Sequence, residues 1–306
     1  MSNNANAMVL ASFAGDVLAL GVHWIYDPAR IAREFGRVDS YLKPRSDSYH
    51  PTRESGEFTH YGDQTMVLLE SLAAKGGFDL DDFAGRWRTL FKNYSGYIDG
   101  ATKGTLKNFE AGRGPEESGS SSNDLAGASR IAPLVLWLRN DPEKLARAAR
   151  GQTAMTHADS DTVHAAEFFA RAARRVLEGT SPVSAMTDEA QGRFAGTRIE
   201  HLVSEGVKSK TQETVPVIGR FGRSCHAPEA FPAVVHLIAR YERNLEEALI
   251  ENVMSGGDSA ARGMLAGMIL GAHLGMEGIP ERWVSEMKKK REIEKALEKY
   301  KCGDAT

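Results

Sequence analysis

The chain has 306 residues, of which 42% are hydrophobic and 26% charged, and a formal net charge of −3. That balance belongs to a globular chain with a sizeable core, and it excludes a disordered tail-like protein and an electrostatic nucleic-acid surface. Two cysteines, Cys225 and Cys302, have neither metal-type spacing nor a disulfide framework, which points to a reducing, cytoplasmic setting.

Residues 1–7 are small and polar, lack the order of a signal peptide, and read as disordered or extraneous to the fold. Residues 8–306 read as one domain. Val9 to Leu20 is an apolar helix containing Gly15-Asp16, and Asp27 to Phe35 a short one with Pro28 at its first position. Residues 36–61 carry prolines, aromatics and histidines and read as a functional loop. Helices are expected from about Asp63 to Ala74 and from Leu80 to Tyr94, the second capped by Asp79. Residues 112–123 are rich in Gly, Ser and Glu and form a loop. Helical patterns resume at 124–139, 142–150 and 159–178, after Pro182 and after Gly196, and, beyond an irregular stretch at 219–228, at 229–240, 245–254, 259–274 and 280–300. No run alternates as a strand would. The expected class is all-α, a compact multi-helix bundle. Lys288 to Arg291 lie among glutamates and read as a solvated helix face.

One segment stands out. From Ser259 to Gly275 a small residue recurs every fourth position (Ser259, Gly263, Gly267, Gly271, Gly275), which makes one ridge on a helix and allows another helix to approach closely. Its apolar stretch is far shorter than the ~20 residues a membrane span needs. Gly256-Gly257 precede it and deliver Asp258 to its first turn. Asp63 follows Gly62 in the same way. Each carboxylate alone reads as an N-cap, since helix N-termini favour negative charge.

Together these pieces resemble the ADP-ribosylglycohydrolase family, which includes dinitrogenase-reductase-activating glycohydrolases and the J1 crystallins. The likeness runs from about Val9 to Gly275. Gly15-Asp16 matches the family's first Gly-Asp motif, His60 to Leu72 its Thr-Asp-Asp-Thr helix start, Thr156-His157-Ala158-Asp159 its Thr-His motif, and Cys225 to Gly275 its C-terminal signature. The resemblance implies a compact all-α fold, hydrolysis of ADP-ribose-type glycosidic bonds on small-molecule or protein-linked ADP-ribose, and no nucleic-acid or membrane partner. It also implies a cleft with two magnesium ions.

The chain departs from the family where those ions would sit. Gly62 and Gln64 replace a threonine and an aspartate around Asp63. Ala260 and Ala261 replace an aspartate and a threonine after Asp258, and His23 stands at the early glutamate. Two carboxylates would leave two divalent cations with substantial uncompensated charge, so at most a single weak magnesium site at Asp63 and Asp258 is expected. By the resemblance, Asp63, Gln64, Asp258 and His23 are the catalytic candidates. His157, Asp159, Gly256, Gly257 and Arg262 are the substrate-binding candidates. Arg262 follows Asp258 by four residues and is expected to pair with Asp258 or Asp63 and, together with His23, to take over the positive charge that metal would supply; the alternative is an ordinary intrahelical pair. His157 and Asp159 read at least equally well as a loop anchor and an N-cap. His23, Trp24 and Tyr26 offer a stacking surface or are core, and Cys225 reads as a structural thiol. A different function on the same residues is a non-catalytic, crystallin-like or nucleotide-binding relative.

Overall fold

In the computed structural model, which describes residues 2–303, the chain runs through α1 (Ser2–Leu20), α2 (Pro28–Phe35), α3 (His60–Lys75), α4 (Leu80–Lys92), α5 (Gly100–Glu110), α6 (Ala126–Ser129), α7 (Ala132–Leu138), α8 (Pro142–Ala154), α9 (Ser160–Leu177), α10 (Pro182–Gln191), α11 (Arg198–Lys208), α12 (Thr214–Phe221), α13 (Ala227–Arg240), α14 (Leu245–Met254), α15 (Ser259–Leu274), α16 (Glu281–Glu286) and α17 (Lys290–Gly303). Among the described residues there is no strand. Two isolated bridges, Ser120 to His157 and Asp124 to His226, tie loops together. The expected all-α bundle is what the chain forms.

Short polar side chains start many of the helices. Asp27, Asp79, Asp99, Asp159 and Asp258 each accept a backbone N–H from the first turn that follows, and Thr59 does the same for α3. Such caps contribute about 1 kcal/mol each.

The central packing is α1 against α15, and the glycine ridge makes it. A Cβ built on Gly267 would lie 2.3 Å from the Ala11 carbonyl oxygen, and one on Gly263 would lie 2.8 Å from that of Gly15. Backbone meets backbone there, so the dispersion gained along the contact offsets the ~1 kcal/mol that each helical glycine costs. The pair fixes two chain ends beside each other, the C-terminus of α1 and the N-terminus of α15. No helix of the described residues is long and apolar enough to cross a membrane.

Several expected boundaries move. α1 includes Ser2, and Ala5 and Ala7 are buried, so the described part of 1–7, expected to be disordered or extraneous, is helical. The helix expected at 124–139 is broken into α6 and α7, and that at 280–300 into α16 and α17. At the second break Met287 is extended and the Lys288 N–H donates to the Gly56 carbonyl at 2.9 Å. α5 lies in a stretch to which no element had been assigned.

Candidate functional site

The turn after α1 and the turn before α15 are sewn together by their backbones. Trp24 N–H donates to the Gly257 carbonyl (3.0 Å), Gly257 N–H to that of Ile25 (2.8 Å), and Asp258 N–H to that of Arg223 (3.0 Å). Gly256 and Gly257 both have left-handed φ, 71° and 72°, and a Cβ on Gly257 would lie 2.0 Å from the Arg223 oxygen. No other residue fits. Trp24 also has a positive φ, 65°, which is strained backbone in a non-glycine residue. The two glycines, expected to contact substrate, brace the backbone that carries His23 and Asp258.

Those two side chains meet. His23 Nε2 lies 3.2 Å from Asp258 Oδ1, and the Tyr61 hydroxyl donates to Oδ2 at 3.0 Å. Asp258 also caps α15 through Ala261 N–H and is fully buried. Burial would raise its carboxyl, but the His23 hydrogen bond and charge and the nearby Arg262 hold it below the ordinary value. Burial lowers His23.

Asp63 occupies the first turn of α3, whose N-cap is Thr59 rather than Asp63 itself. Its Oδ2 accepts from both an Arg53 guanidinium nitrogen and the Tyr94 hydroxyl, the latter at 2.6 Å. The Arg53 and Asp63 side chains are each 14% exposed. Burial raises the Asp63 carboxyl above its ordinary value, and Arg53, pulling the other way, does not fully reverse this. At Asp63 the positive charge comes from Arg53, while Arg262 acts on Asp258 through its charge without a bond. Arg262 is fully buried and donates to Asn252 Oδ1 (3.0 Å) and the Gly256 carbonyl (2.6 Å); it bonds to neither aspartate. An N-cap lies outside the helical register, so the four-residue rule does not carry from Asp258 to Arg262.

Gln64, expected beside Asp63 in the site, is turned away. Its Oε1 accepts from Trp87 Nε1 (2.7 Å) and from Arg130 (2.8 Å), inside the core. One residue is 100° around a helix, and here that turn carries Gln64 into the core while Asp63 meets Arg53 and Tyr94. Beneath α3, Asp16 accepts from Thr59 N–H (2.8 Å) and Thr59 Oγ1 (2.5 Å), and a Cβ on Gly62 would lie 2.3 Å from Asp16 Oδ2. The position leaves a side chain no room there.

Histidines line the region between the two aspartates. His50 Nε2 lies 3.1 Å from His23 Nδ1, and His60 Nε2 lies 3.1 Å from Asp99 Oδ2. Trp24 packs against His23, Tyr49 and Tyr97 at centroid distances of 4.3, 4.9 and 5.0 Å. Tyr49 is 53% exposed, so this aromatic cluster reaches from a buried floor to solvent. On the other side of Asp258, ligand atoms of Asp124, Cys225 and Asp258 lie within 4.8 Å of one another. Burial and the charge of Asp258 push Asp124 well above its ordinary value, and burial with the same charges pushes the Cys225 thiol up.

His157 is buried with Nδ1 2.8 Å from Thr156 Oγ1, and burial lowers it to about 3. Asp159 is the N-cap of α9 and belongs to that helix, as the structural alternative had it. Arg53, Tyr94, Asp99 and Asp124 were missed. Asp99 carried a usable signal, an aspartate ahead of a helical stretch; Arg53 sits in the long loop with no pattern to mark it.

The donors that remain do not suit a magnesium pair. Both described bonds to Asp63 are to Oδ2, both oxygens of Asp258 are engaged, Gln64 faces the core, and Ala260 and Ala261 are fully buried apolar residues. Magnesium demands near-octahedral oxygen ligands, and among the described residues these side chains do not offer such a set for two ions.

Comparison with known proteins agrees with this architecture. Residues 2–304 match the ADP-ribosylglycohydrolase family. The chain is 23% identical to Crystallin J1B of Tripedalia cystophora over 96% of this chain and 94% of the crystallin. It is 25% identical to ADP-ribosylhydrolase ARH3 of Mus musculus over 86% and 81%. A solved structure described as an ADP-ribosylglycohydrolase-related protein complex superposes with a TM-score of 0.76 at 25% identity, covering 99% of this chain and 98% of that one.

Proposed function

The chain belongs to the ADP-ribosylglycohydrolase family, and on that premise we propose that it hydrolyses an ADP-ribose-type glycosidic bond without the family's two-ion magnesium centre. The observation that carries the reading is Asp63. Its Oδ2 is held by Arg53 and Tyr94, so Oδ1 is left to orient water, and burial makes the carboxylate more basic than a free one. Glycosidic cleavage builds positive charge on the sugar, which a fixed carboxylate stabilises. Asp258 with His23 supports the ribose from the other side, and the cluster of Trp24, Tyr49 and Tyr97 offers the base a stacking surface. The substrate is ADP-ribose linked to a small molecule or a protein.

A second reading, a non-catalytic relative that keeps the pocket, draws on the complete burial of Asp258 beneath His23 and Tyr61 and on the similarity to a crystallin. One experiment separates them. ADP-ribosyl-arginine, ADP-ribosyl-serine and free ADP-ribose are assayed for binding and turnover, with and without magnesium. Metal-independent turnover lost in Asp63→Asn is the expected result. Binding without turnover supports the second reading, and no binding of any of the three removes both.

A further inference from the structure

The run Lys288-Lys289-Lys290-Arg291, read from the sequence as a solvated helix face, is divided by the structure. Lys288 and Lys289 lie in the turn between α16 and α17, and α17 begins at Lys290. Lys288, Lys289 and Arg291 are exposed, and none has an ion-pair partner among the described residues; Lys290 lies 3.9 Å from Glu294. Exposed cations cost little in water, so exposure alone assigns them no role. Their placement does.

The turn is pinned to the loop that carries Arg53. The Lys288 N–H donates to the Gly56 carbonyl at 2.9 Å. Gly56 has a φ of 83°, and a Cβ on it would lie 2.4 Å from the Glu286 oxygen, so backbone is pressed on backbone. Beside it, Ser55 Oγ donates to the Tyr41 carbonyl and the Tyr41 hydroxyl to that of Trp283, each at 2.8 Å. Arg53, which holds Asp63, precedes Ser55 by two residues, a span of at most about 7 Å along the chain. Lys289 is near enough for its charge to act on the Asp63 carboxyl. The cations are therefore fixed at the edge of the candidate site.

Between loop and turn lies a groove of about 640 Å³, whose walls include Ser55, Glu286, Lys288, Lys290, Arg291 and Glu292. Its cations outnumber its carboxylates. Glu286 and Glu292 nevertheless interrupt the positive wall, and this decides the class of partner. A nucleic-acid backbone, with a phosphate at every nucleotide, would be driven against those carboxylates. A polypeptide with spaced Asp and Glu side chains can set its charges on the cations and avoid them. We propose that this groove docks an acidic segment of the protein that carries the ADP-ribose, so that the modified residue is presented to Asp63. The inference rests on the hydrolytic reading for the identity of the cargo and on the groove alone for binding. Rim charges of this kind steer and orient more than they hold, each contributing about two- to fivefold in affinity, and salt weakens them.

The test uses the full chain and a fluorescein-labelled decapeptide rich in Asp and Glu, followed by fluorescence anisotropy at low and high salt. The wild type is expected to bind it more tightly than a Lys- and Arg-rich decapeptide, and to release it as salt is raised. The double variant Lys288→Glu/Arg291→Glu is expected to bind about tenfold more weakly, while Lys208→Glu on α11 binds as the wild type does. Lys289 is left in place because its charge reaches Asp63. In steady-state assays the double variant should raise KM for an ADP-ribosylated acidic peptide about tenfold. It should leave kcat unchanged, together with both constants for the ADP-ribosyl amino acid that the wild type hydrolyses. Both substituted side chains are exposed, and circular dichroism checks that the variant folds. Equal peptide affinity in the double variant and the wild type, equal affinity for acidic and basic peptides, or tighter binding of a single-stranded RNA that the double variant loses overturns the proposal. Acidic-peptide binding without turnover of any ADP-ribosyl substrate supports the groove and removes the hydrolytic reading.

Discussion

Asp16 makes the stability of the fold depend on pH, and Asp16→Asn tests the account. The carboxyl is fully buried beneath the N-terminus of α3. Two Thr59 donors favour its charged form, and so does the helix terminus above it, an effect worth up to ~2 kcal/mol. Burial opposes them and is the largest influence, lifting the group from 3.8 to about 7. The folded value thus exceeds the unfolded one. The stability contribution is complete below the unfolded value, declines as pH rises from about 4, and is gone above about 7. One unit corresponds to about 1.36 kcal/mol, so roughly 3 kcal/mol is lost between pH 5 and pH 8. Asparagine keeps the acceptor for Thr59 N–H and never ionises. Urea unfolding of both proteins at pH 5 and pH 8 isolates the effect, because most other titrations cancel in the difference. The variant is expected to gain on the wild type by roughly 3 kcal/mol between the two pH values. A pH-independent difference, or one of opposite sign, would mean that the helix terminus and Thr59 win and that Asp16 is an anion at neutral pH.

Other outcomes follow from the same packing. Arg53→Met leaves Asp63 with Tyr94 as its remaining described donor; with both side chains 14% exposed, the cost is about 2–3 kcal/mol rather than that of a fully buried pair. Adding Asp63→Asn should recover most of it, and a double-mutant cycle by urea unfolding measures the coupling. Gly267→Ala should lower the melting temperature although alanine is the better helix former, because its Cβ would press on the Ala11 carbonyl at 2.3 Å; overpacking of this kind costs about 1–3 kcal/mol. Gln64→Leu strips an acceptor from both Trp87 and Arg130 and should cost about 2–4 kcal/mol in unfolding assays, yet leave ADP-ribose binding unchanged well below the melting temperature. Weakened binding in that variant would return Gln64 to the site.

What the sequence disclosed depended on whether the information was local. The ridge at Gly263, Gly267 and Gly271 is a four-residue period, and the close packing it predicts against another helix is what α1 and α15 form. His23 and Asp258, 235 residues apart, were placed together only through the family pattern, and the structure joins them at 3.2 Å. Gln64 was misplaced because a motif records order along the chain and ignores the 100° turn between neighbours. Arg53 was invisible because a loop residue has no periodicity, and its partner is fixed by how residues 36–59 fold back on α3. The α16–α17 break had no internal Gly or Pro to announce it; it is made by the Lys288 bond to Gly56, a tertiary contact.

Arg53 also bears on which chemistry the site can perform. A site that had merely lost its metal ligands would leave its carboxylates buried and uncompensated, each at a cost of several kcal/mol. Here each has acquired a counter-group of its own: a guanidinium and a phenol on Asp63, an imidazole and a phenol on Asp258. The two compensations are not equivalent. Asp258 has both oxygens taken and is held low, so it can support charge but not take up a proton. Asp63 has both described donors on one oxygen and remains above its ordinary value despite Arg53, which is the combination a water-orienting base requires. Under the proposed reading the proton therefore goes to Asp63, while Asp258 and His23 act by charge and position. Asp63→Asn should then lower kcat. His23→Gln, which keeps a donor to Asp258, should raise KM with a smaller loss in kcat. The reverse pattern in steady-state assays would exchange the two roles.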